Sequence, residues 1–146
     1  MKLRGNCQAT VDEKGRLKIP AVFLDALKEF GNQFYITSTT GDRARIYPMK
    51  VWGKIEDKLA KLPSTNKAKR KFLMHTSYYG QAVEIDAQGR VLMPAVLRES
   101  AKTKGEVDVL GALDHLVVMN HTRVLDELKG EPYTDADDDA LQGSGI

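Results

Sequence analysis

The sequence predicts an α+β fold in which two tandem ββαββ units share one small interleaved barrel, with added helices. Three observations carry this prediction. One phrase occurs twice, as Val11-Asp12-Glu13-Lys14-Gly15-Arg16-Leu17-Lys18-Ile19-Pro20-Ala21-Val22 and, 74 residues on, as Ile85-Asp86-Ala87-Gln88-Gly89-Arg90-Val91-Leu92-Met93-Pro94-Ala95-Val96. Each copy runs through a helix-like stretch to a glycine, Gly31 or Gly105, and then into a second apolar region, Phe34 to Ile36 or Val107 to Leu110. Asp42 to Pro48 and Asp114 to Asn120 form a last matching pair. Self-similarity at a fixed spacing means two related halves, and each half alone is too short for an ample core.

The repeated phrase dictates a hairpin. Asp at its start and Gly three residues later suit a type I turn, and a left-handed Gly then closes a three-residue loop. Glu13, Lys14 and Gly15 form that loop, with Asp12 facing Arg16 across it; Asp86 faces Arg90 in the second copy. Ala9, Val11, Leu17 and Ile19 alternate on one face, as do Val83, Ile85, Val91 and Met93, while Thr10, Asp12, Arg16 and Lys18 take the other. Pro20 and Pro94 end the strands and suit the first turn of a helix, where a missing N–H costs nothing. Val22, Phe23, Ala26 and Leu27 give the first helix an apolar stripe that stops at Gly31; Val96, Leu97, Ser100 and Gly105 play the same parts in the second. The rest of each half reads as strand, turn and strand.

The expected organisation is a first module over 1–48, a helical connecting segment over 49–79, a second module with a short C-terminal helix over 80–130, and a disordered acidic tail over 131–146. The connecting segment holds two candidate helices separated by Leu62-Pro63-Ser64, the first with Val51, Trp52, Ile55, Leu59 and Leu62 on one face. Lys67, Lys69, Arg70 and Lys71 load the second with charge, read as a solvated face rather than a primary site. The tail is short of residues to bury and carries Asp135, Asp137, Asp138 and Asp139. The net charge of +2 therefore understates the folded part, where residues 1–130 hold 22 basic and 15 acidic side chains, or +7.

Composition excludes several classes. No stretch approaches the roughly 20 apolar residues of a membrane span, and Met1 to Asn6 lack the apolar core of a signal peptide, so a soluble protein is expected. Cys7 is the only cysteine and His75, His115 and His121 are scattered, so neither a disulfide, a metal site nor a cofactor is expected, and a reducing cytoplasm fits best. Asp12 and Asp86 at exposed tips, with no repeated His, Cys or Ser beside them, make a poor catalytic pair.

The Asp and Arg of each hairpin invite two readings. An exposed pair across a turn adds only about 0 to 1 kcal/mol, a weak reason for a long charged side chain to occupy the same place twice. Arginine also offers a planar fork that engages phosphates or the O6/N7 edge of guanine. On that reading Arg16 and Arg90 contact DNA, Asp12 and Asp86 shape the loops, and Lys14, Lys18 and Gln88 add phosphate or base contacts. A structural oligomeric scaffold without specific DNA binding is the alternative.

Arg4-Gly5-Asn6, the run from Asp12 to Ala21, Ile46-Tyr47-Pro48 followed by Trp52, and the run from Asp86 to Pro94 together resemble the MraZ family, over about Met1 to Lys129. The resemblance implies two tandem AbrB-like swapped-hairpin modules, with the family's DxxxR motif on Asp12 and Arg16 and on Asp86 and Arg90. It also implies a cytoplasmic, nucleoid-associated repressor of its own division and cell-wall gene cluster. Such a repressor binds G-rich direct repeats in double-stranded DNA as a homo-oligomeric ring, an octamer or dodecamer.

Overall fold

The computed structural model describes residues 2–146. The first half runs β1 (Asn6–Val11), β2 (Arg16–Lys18), α1 (Ala21–Lys28), β3 (Gln33–Thr37) and β4 (Ala44–Pro48). Helices α2 (Met49–Ala60) and α3 (Lys67–Tyr78) connect it to β5 (Gln81–Glu84), β6 (Arg90–Leu92), α4 (Ala95–Ser100), β7 (Gly105–Gly111) and β8 (Leu116–Asn120), after which come α5 (His121–Gly130) and α6 (Asp135–Gln142). The ββαββ order expected of each half is present in both.

The eight strands form one antiparallel sheet in the order β5-β3-β4-β8-β7-β1-β2-β6. Its two end strands belong to the same hairpin, where Asp86 N donates to Arg90 O at 2.9 Å, so the sheet curls into a nearly closed barrel. Most of the pairing crosses between the halves. The first strand of each half pairs with the third of the other, Cys7 opposite Val109 and Phe34 opposite Val83. Leu17 lies opposite Val91 and Ile46 opposite Leu116, so second pairs with second and fourth with fourth. Exchanging the halves maps this pattern onto itself. Two backbone bonds repeat the symmetry at the hairpins: Ile19 N donates to Gly89 O at 2.9 Å and Met93 N to Gly15 O at 2.8 Å.

The alternation of Val11, Leu17, Ile19, Val91 and Met93 resolves as expected, each at most 3% exposed in a single core cluster fed by both halves. Phe23 and Leu27 of α1, and Leu97 of α4 with Ala101 at its C-terminal cap, plug the barrel. Val22 and Val96, expected in the same stripes, are 69% and 44% exposed, and Ser100 also faces outward. These helices are only 8 and 6 residues long, so one i, i+4 pair from each reaches the core. Each proline sits one place earlier than expected: Pro20 and Pro94 have extended ψ of 140° and 134° and cap helices whose first turns begin at the following alanine. Gly31 adopts the left-handed conformation at φ +104° just after α1, as expected, but the left-handed residue that follows α4 is Lys102 at φ +52°, and Gly105 instead opens β7 at φ +78°.

Trp52 seats α2 against the sheet. It is 4% exposed and stacks between Tyr35 at 4.7 Å and Phe72 of α3 at 6.1 Å. Leu62, placed on the same face by the 3.6-residue pattern, lies past the end of α2 and is exposed. The cations of α3 do not converge. Lys69 Nζ donates to Leu62 O at 2.8 Å and Arg70 Nη1 to Thr65 O at 3.0 Å, closing the carbonyls of the preceding loop.

The tail also differs from its expectation. Asp135–Gln142, read from composition as part of a disordered tail, form helix α6. Thr134 and Asp137 make a reciprocal capping box, and Asp135, Asp137 and Asp138 sit in the first turn, where the positive end of the helix dipole favours carboxylates. Local capping thus supplies what burial does not, since no residue of α6 is buried.

Helix α5 is held by polar contacts. His121 Nδ1 lies 2.7 Å from Oδ2 of Asp108, which is 2% exposed, and Arg123 Nη1 donates to Asp42 O at 3.0 Å. Arg43 bridges Asp42 and Glu127. The hydrogen bonds from the Arg43 guanidinium hold the Asp42 carboxyl well below its ordinary 3.8, at about 2. Because the folded-state pKa is the lower one, the contribution of Asp42 is complete above pH 4 and fades as pH falls toward 2. The expected result is a melting temperature of the wild type that falls from pH 5 to pH 2.5 more than that of Asp42→Asn. Parallel curves would show that the bridge adds nothing. Among the described residues no helix is long and apolar enough to cross a membrane.

Candidate nucleic-acid interface

The two hairpin loops have the same geometry. In the first, Gly15 N donates to Asp12 O and Asp12 N to Arg16 O, both at 2.9 Å, which defines the three-residue loop. Gly15 sits at φ +84°, where a β-carbon is disfavoured. Asp12 Oδ1 accepts from Lys14 N at 3.0 Å and Arg16 N at 2.9 Å, while Oδ2 accepts from Arg16 Nε at 3.0 Å. The second loop repeats this set. Asp86 Oδ1 accepts from Gln88 N and Arg90 N, and Oδ2 accepts from Arg90 Nε, each at 2.9 Å. In both loops the backbone N–H of the arginine is the main cause that lowers the aspartate pKa, so Asp12 and Asp86 are ionised at neutral pH.

This latch has a chemical consequence. It takes only the Nε of each guanidinium, and the aspartate thereby fixes the plane of the fork while sparing its far edge. Among the described residues Arg16 Nη1 and Nη2 have no partner; one Nη of Arg90 is engaged by the Gln88 side chain. Both arginines are partly exposed, with side chains 33% and 26% accessible.

The structure brings the predicted residues to one seam. On β2, Arg16 and Lys18 flank the buried Leu17; on β6, Arg90 and Leu92 flank the buried Val91. The register sets Arg16 opposite Leu92 and Lys18 opposite Arg90, so three cations and one 44% exposed leucine share the outer face. Lys14 and Gln88 lie exposed at the two loops. Among the described residues no group of His, Cys, Asp and Glu could hold a metal ion.

Two residues under the loops escaped the sequence reading. The guanidinium of Arg98, from α4 of the second half, packs on Gly15 of the first loop. Its counterpart Leu24, from α1 of the first half, packs on Gly89, with Cδ2 3.2 Å from where a β-carbon would stand. The signal was present only as position: both stand four residues after the motif proline. The difference predicts unequal substitutions. Both alanine variants carry left-handed strain, at φ +84° and +77°, but Gly15→Ala adds a collision against the Arg98 guanidinium, whereas Gly89→Ala meets only the flexible end of Leu24. Thermal unfolding of the two variants should show the larger loss for Gly15→Ala, about 1 kcal/mol or more; equal losses would mean Arg98 yields freely.

A family model described as "MraZ protein, putative antitoxin-like" matches residues 3–75 and again 80–142, one match per half. The transcriptional regulator MraZ of Acidobacterium capsulatum is 50% identical over 144 residues, covering 98% of this chain and 99% of that protein. Its namesake from Koribacter versatilis is 48% identical over 145 residues, covering 98% and 99%. The Moorella thermoacetica protein of the same name is 37% identical over 119 residues, covering 82% and 81%. These relatives are named as regulators and none as an enzyme. With both halves matched in tandem and near full-length identity to named members, the chain belongs to the MraZ family.

Proposed function

We propose that the protein is a sequence-specific DNA-binding transcriptional regulator, a repressor of its own division and cell-wall gene cluster. It reads G-rich direct repeats in double-stranded DNA with Arg16 and Arg90, and works as a nucleoid-associated homo-oligomeric ring of eight or twelve subunits. The observation that carries this reading is the aspartate latch, which engages each arginine through Nε and leaves both Nη of Arg16 and one Nη of Arg90 without a partner among the described residues. Bidentate recognition of guanine uses a guanidinium edge against O6 and N7, and a fork already fixed in plane loses less entropy on binding. Asp12 and Asp86 orient the forks. Lys14 and Lys18 supply phosphate contacts, and Gln88 lies within reach of a base or phosphate.

The spacing on the seam suits this task. Arg90 lies opposite Lys18, two residues along the strand from Arg16, an offset of roughly 7 Å. Two base steps along a DNA strand cover a similar roughly 7 Å. One seam engages few base pairs and binds weakly, while linked copies on repeated boxes gain avidity of about 10²- to 10⁴-fold. Family membership and the regulator names of the relatives support the DNA-binding reading, and the resemblance supports the repressor role and the ring.

The test is titration of purified protein against a duplex with direct G-rich repeats and against a scrambled duplex of the same length, at two salt concentrations. Tight binding to the repeats alone is the expected result. Equal, weak binding to both leaves only nonspecific electrostatics and moves the oligomeric scaffold to first place.

A further inference from the structure

The two hairpins match in their latches and differ in what surrounds them. Beside the first loop, α4 and the turn after it form an open groove of about 600 Å³ lined by Ala95, Arg98, Glu99, Lys102, Lys104 and Asn120. Arg98 Nε is buried there without a hydrogen-bond partner, and among the described residues its guanidinium makes no ion pair. Lys102 is held at φ +52°, a conformation that favours glycine, while its carbonyl oxygen accepts from Asn120 Nδ2 at 2.9 Å. An arginine with an unmet donor and two exposed lysines thus share one hollow next to Lys14 and Arg16.

The corresponding residues beside the second loop are different. Positions equivalent to Arg98, Lys102 and Lys104 are Leu24, Lys28 and Phe30, and Leu92 stands where the first hairpin has Lys18. In the first loop and its groove Lys14, Arg98, Lys102 and Lys104 outnumber Glu13, Glu99 and Glu106. At the positions matching these four the second loop has Gln88, Leu24, Lys28 and Phe30, and Lys18 of the first hairpin lies opposite its Arg90.

We infer that the α4 groove is a binding site for the phosphodiester backbone of the DNA strand flanking the base contacted by Arg16. Arg98, Lys102 and Lys104 hold it, so the first hairpin carries most of the electrostatic affinity and the second contributes base contact with little phosphate grip. This rests on the DNA-binding reading above. Arg98 reaches the groove from the second half while lying against the loop of the first, so phosphate engagement also steadies the backbone behind Arg16.

The assignment is tested on the full chain with the repeat and scrambled duplexes, each titrated across a salt series. The variants are Arg98→Met, which keeps bulk over Gly15, the exposed double change Lys102→Gln/Lys104→Gln, and the mirror-position Lys28→Gln. Every phosphate that a variant leaves unneutralised lowers the slope of log K against log salt by about 0.9. The expected result is a smaller slope for Arg98→Met and for the lysine pair, with affinity for both duplexes falling by a similar factor and their ratio retained; Lys28→Gln leaves slope and affinity unchanged. Unchanged slopes in both groove variants, with specific binding intact, would overturn the groove assignment and leave the arginine reading standing. Equal slope losses at Lys28 and in the groove would also overturn it, since the hairpins would then be equivalent. Arg98-dependent uptake of inorganic phosphate without any change in DNA slope would overturn it too, and assign the groove to a free anion. Failure of the wild type to prefer the repeat duplex would sink the DNA reading and the groove together.

Discussion

Arg16→Ala is expected to abolish preference for repeat DNA while the protein stays folded. A good bidentate contact to guanine discriminates by about 1 to 3 kcal/mol, roughly 5- to 150-fold per site. In an assembly that engages several boxes the losses compound. The cost to folding is small by comparison, because the Asp12–Arg16 pair is partly exposed and such surface pairs contribute about 0 to 1 kcal/mol. The loop also keeps its backbone bonds and Gly15 without the guanidinium. Arg16→Lys separates charge from shape: it retains a cation and so the salt-dependent affinity, but not the planar fork, and should bind repeat and scrambled duplexes alike. Arg90→Ala is expected to act in the same direction less severely, since Gln88 already occupies one end of that fork. Competition titrations with both duplexes, paired with thermal melts, decide the matter. Wild-type discrimination by Arg16→Ala would remove Arg16 from recognition, and a variant that unfolds would make the latch structural.

The second large effect concerns the fold itself. A fragment of residues 2–79 is expected to have no folded monomer. Leu17, Ile19, Phe34, Ile36 and Ile46 are at most 1% exposed in the intact chain, and the strands opposite β1, β2 and β4 on one side come from the missing half. Burying one such side chain is worth about 1.5 to 3 kcal/mol. Exposing five removes an amount comparable with the whole stability of an ordinary domain, about 5 to 15 kcal/mol. Without β7 and β6, β1 is left with the single register pair Val11–Leu17 to β2. Mixing the fragment with one of residues 80–146 should restore the structure, reported by the return of Trp52 to its stack between Tyr35 and Phe72. Any folded form of the first fragment alone should be a concentration-dependent dimer, in which a second copy supplies the absent strands. A folded monomer in sedimentation and circular dichroism would refute the claim that the halves complete one another.

These expectations show what the sequence could and could not reveal. Local geometry was legible because it is encoded within a few residues: Asp12 and Gly15 specify the turn, Pro20 and Pro94 mark the helix starts, and Gly31 marks the end of the first helix, whereas α4 ends at a left-handed Lys102 that no glycine announced. Interleaving could be suspected from two similar halves, each short of a core. The actual partners, Cys7 with Val109 or Phe34 with Val83, could not be read, because every strand shows the same alternation and register is set by three-dimensional fit. Val22 and Val96 misled because the helical period says which residues share a face, not how much of a short helix the barrel covers. The tail misled in the opposite sense. Its composition argues for disorder, yet the Thr134 to Asp137 spacing is a capping signature that stabilises a helix locally. Arg98 was invisible as a site residue because its neighbour Gly15 lies 83 positions away in the chain and meets it only through the exchange of halves.

That exchange bears on direction. Two identical modules related by a true two-fold axis present the same face when turned end for end, and their natural target is a palindrome. Joining the modules in one chain frees each copy to change alone, and here Lys18 faces the world where its twin is Leu92, and Arg98 underlies one loop where Leu24 underlies the other. A surface of this kind has a front and a back. Laid on DNA it can tell one strand polarity from the other, and rows of such surfaces, all facing the same way, fit boxes that repeat head to tail.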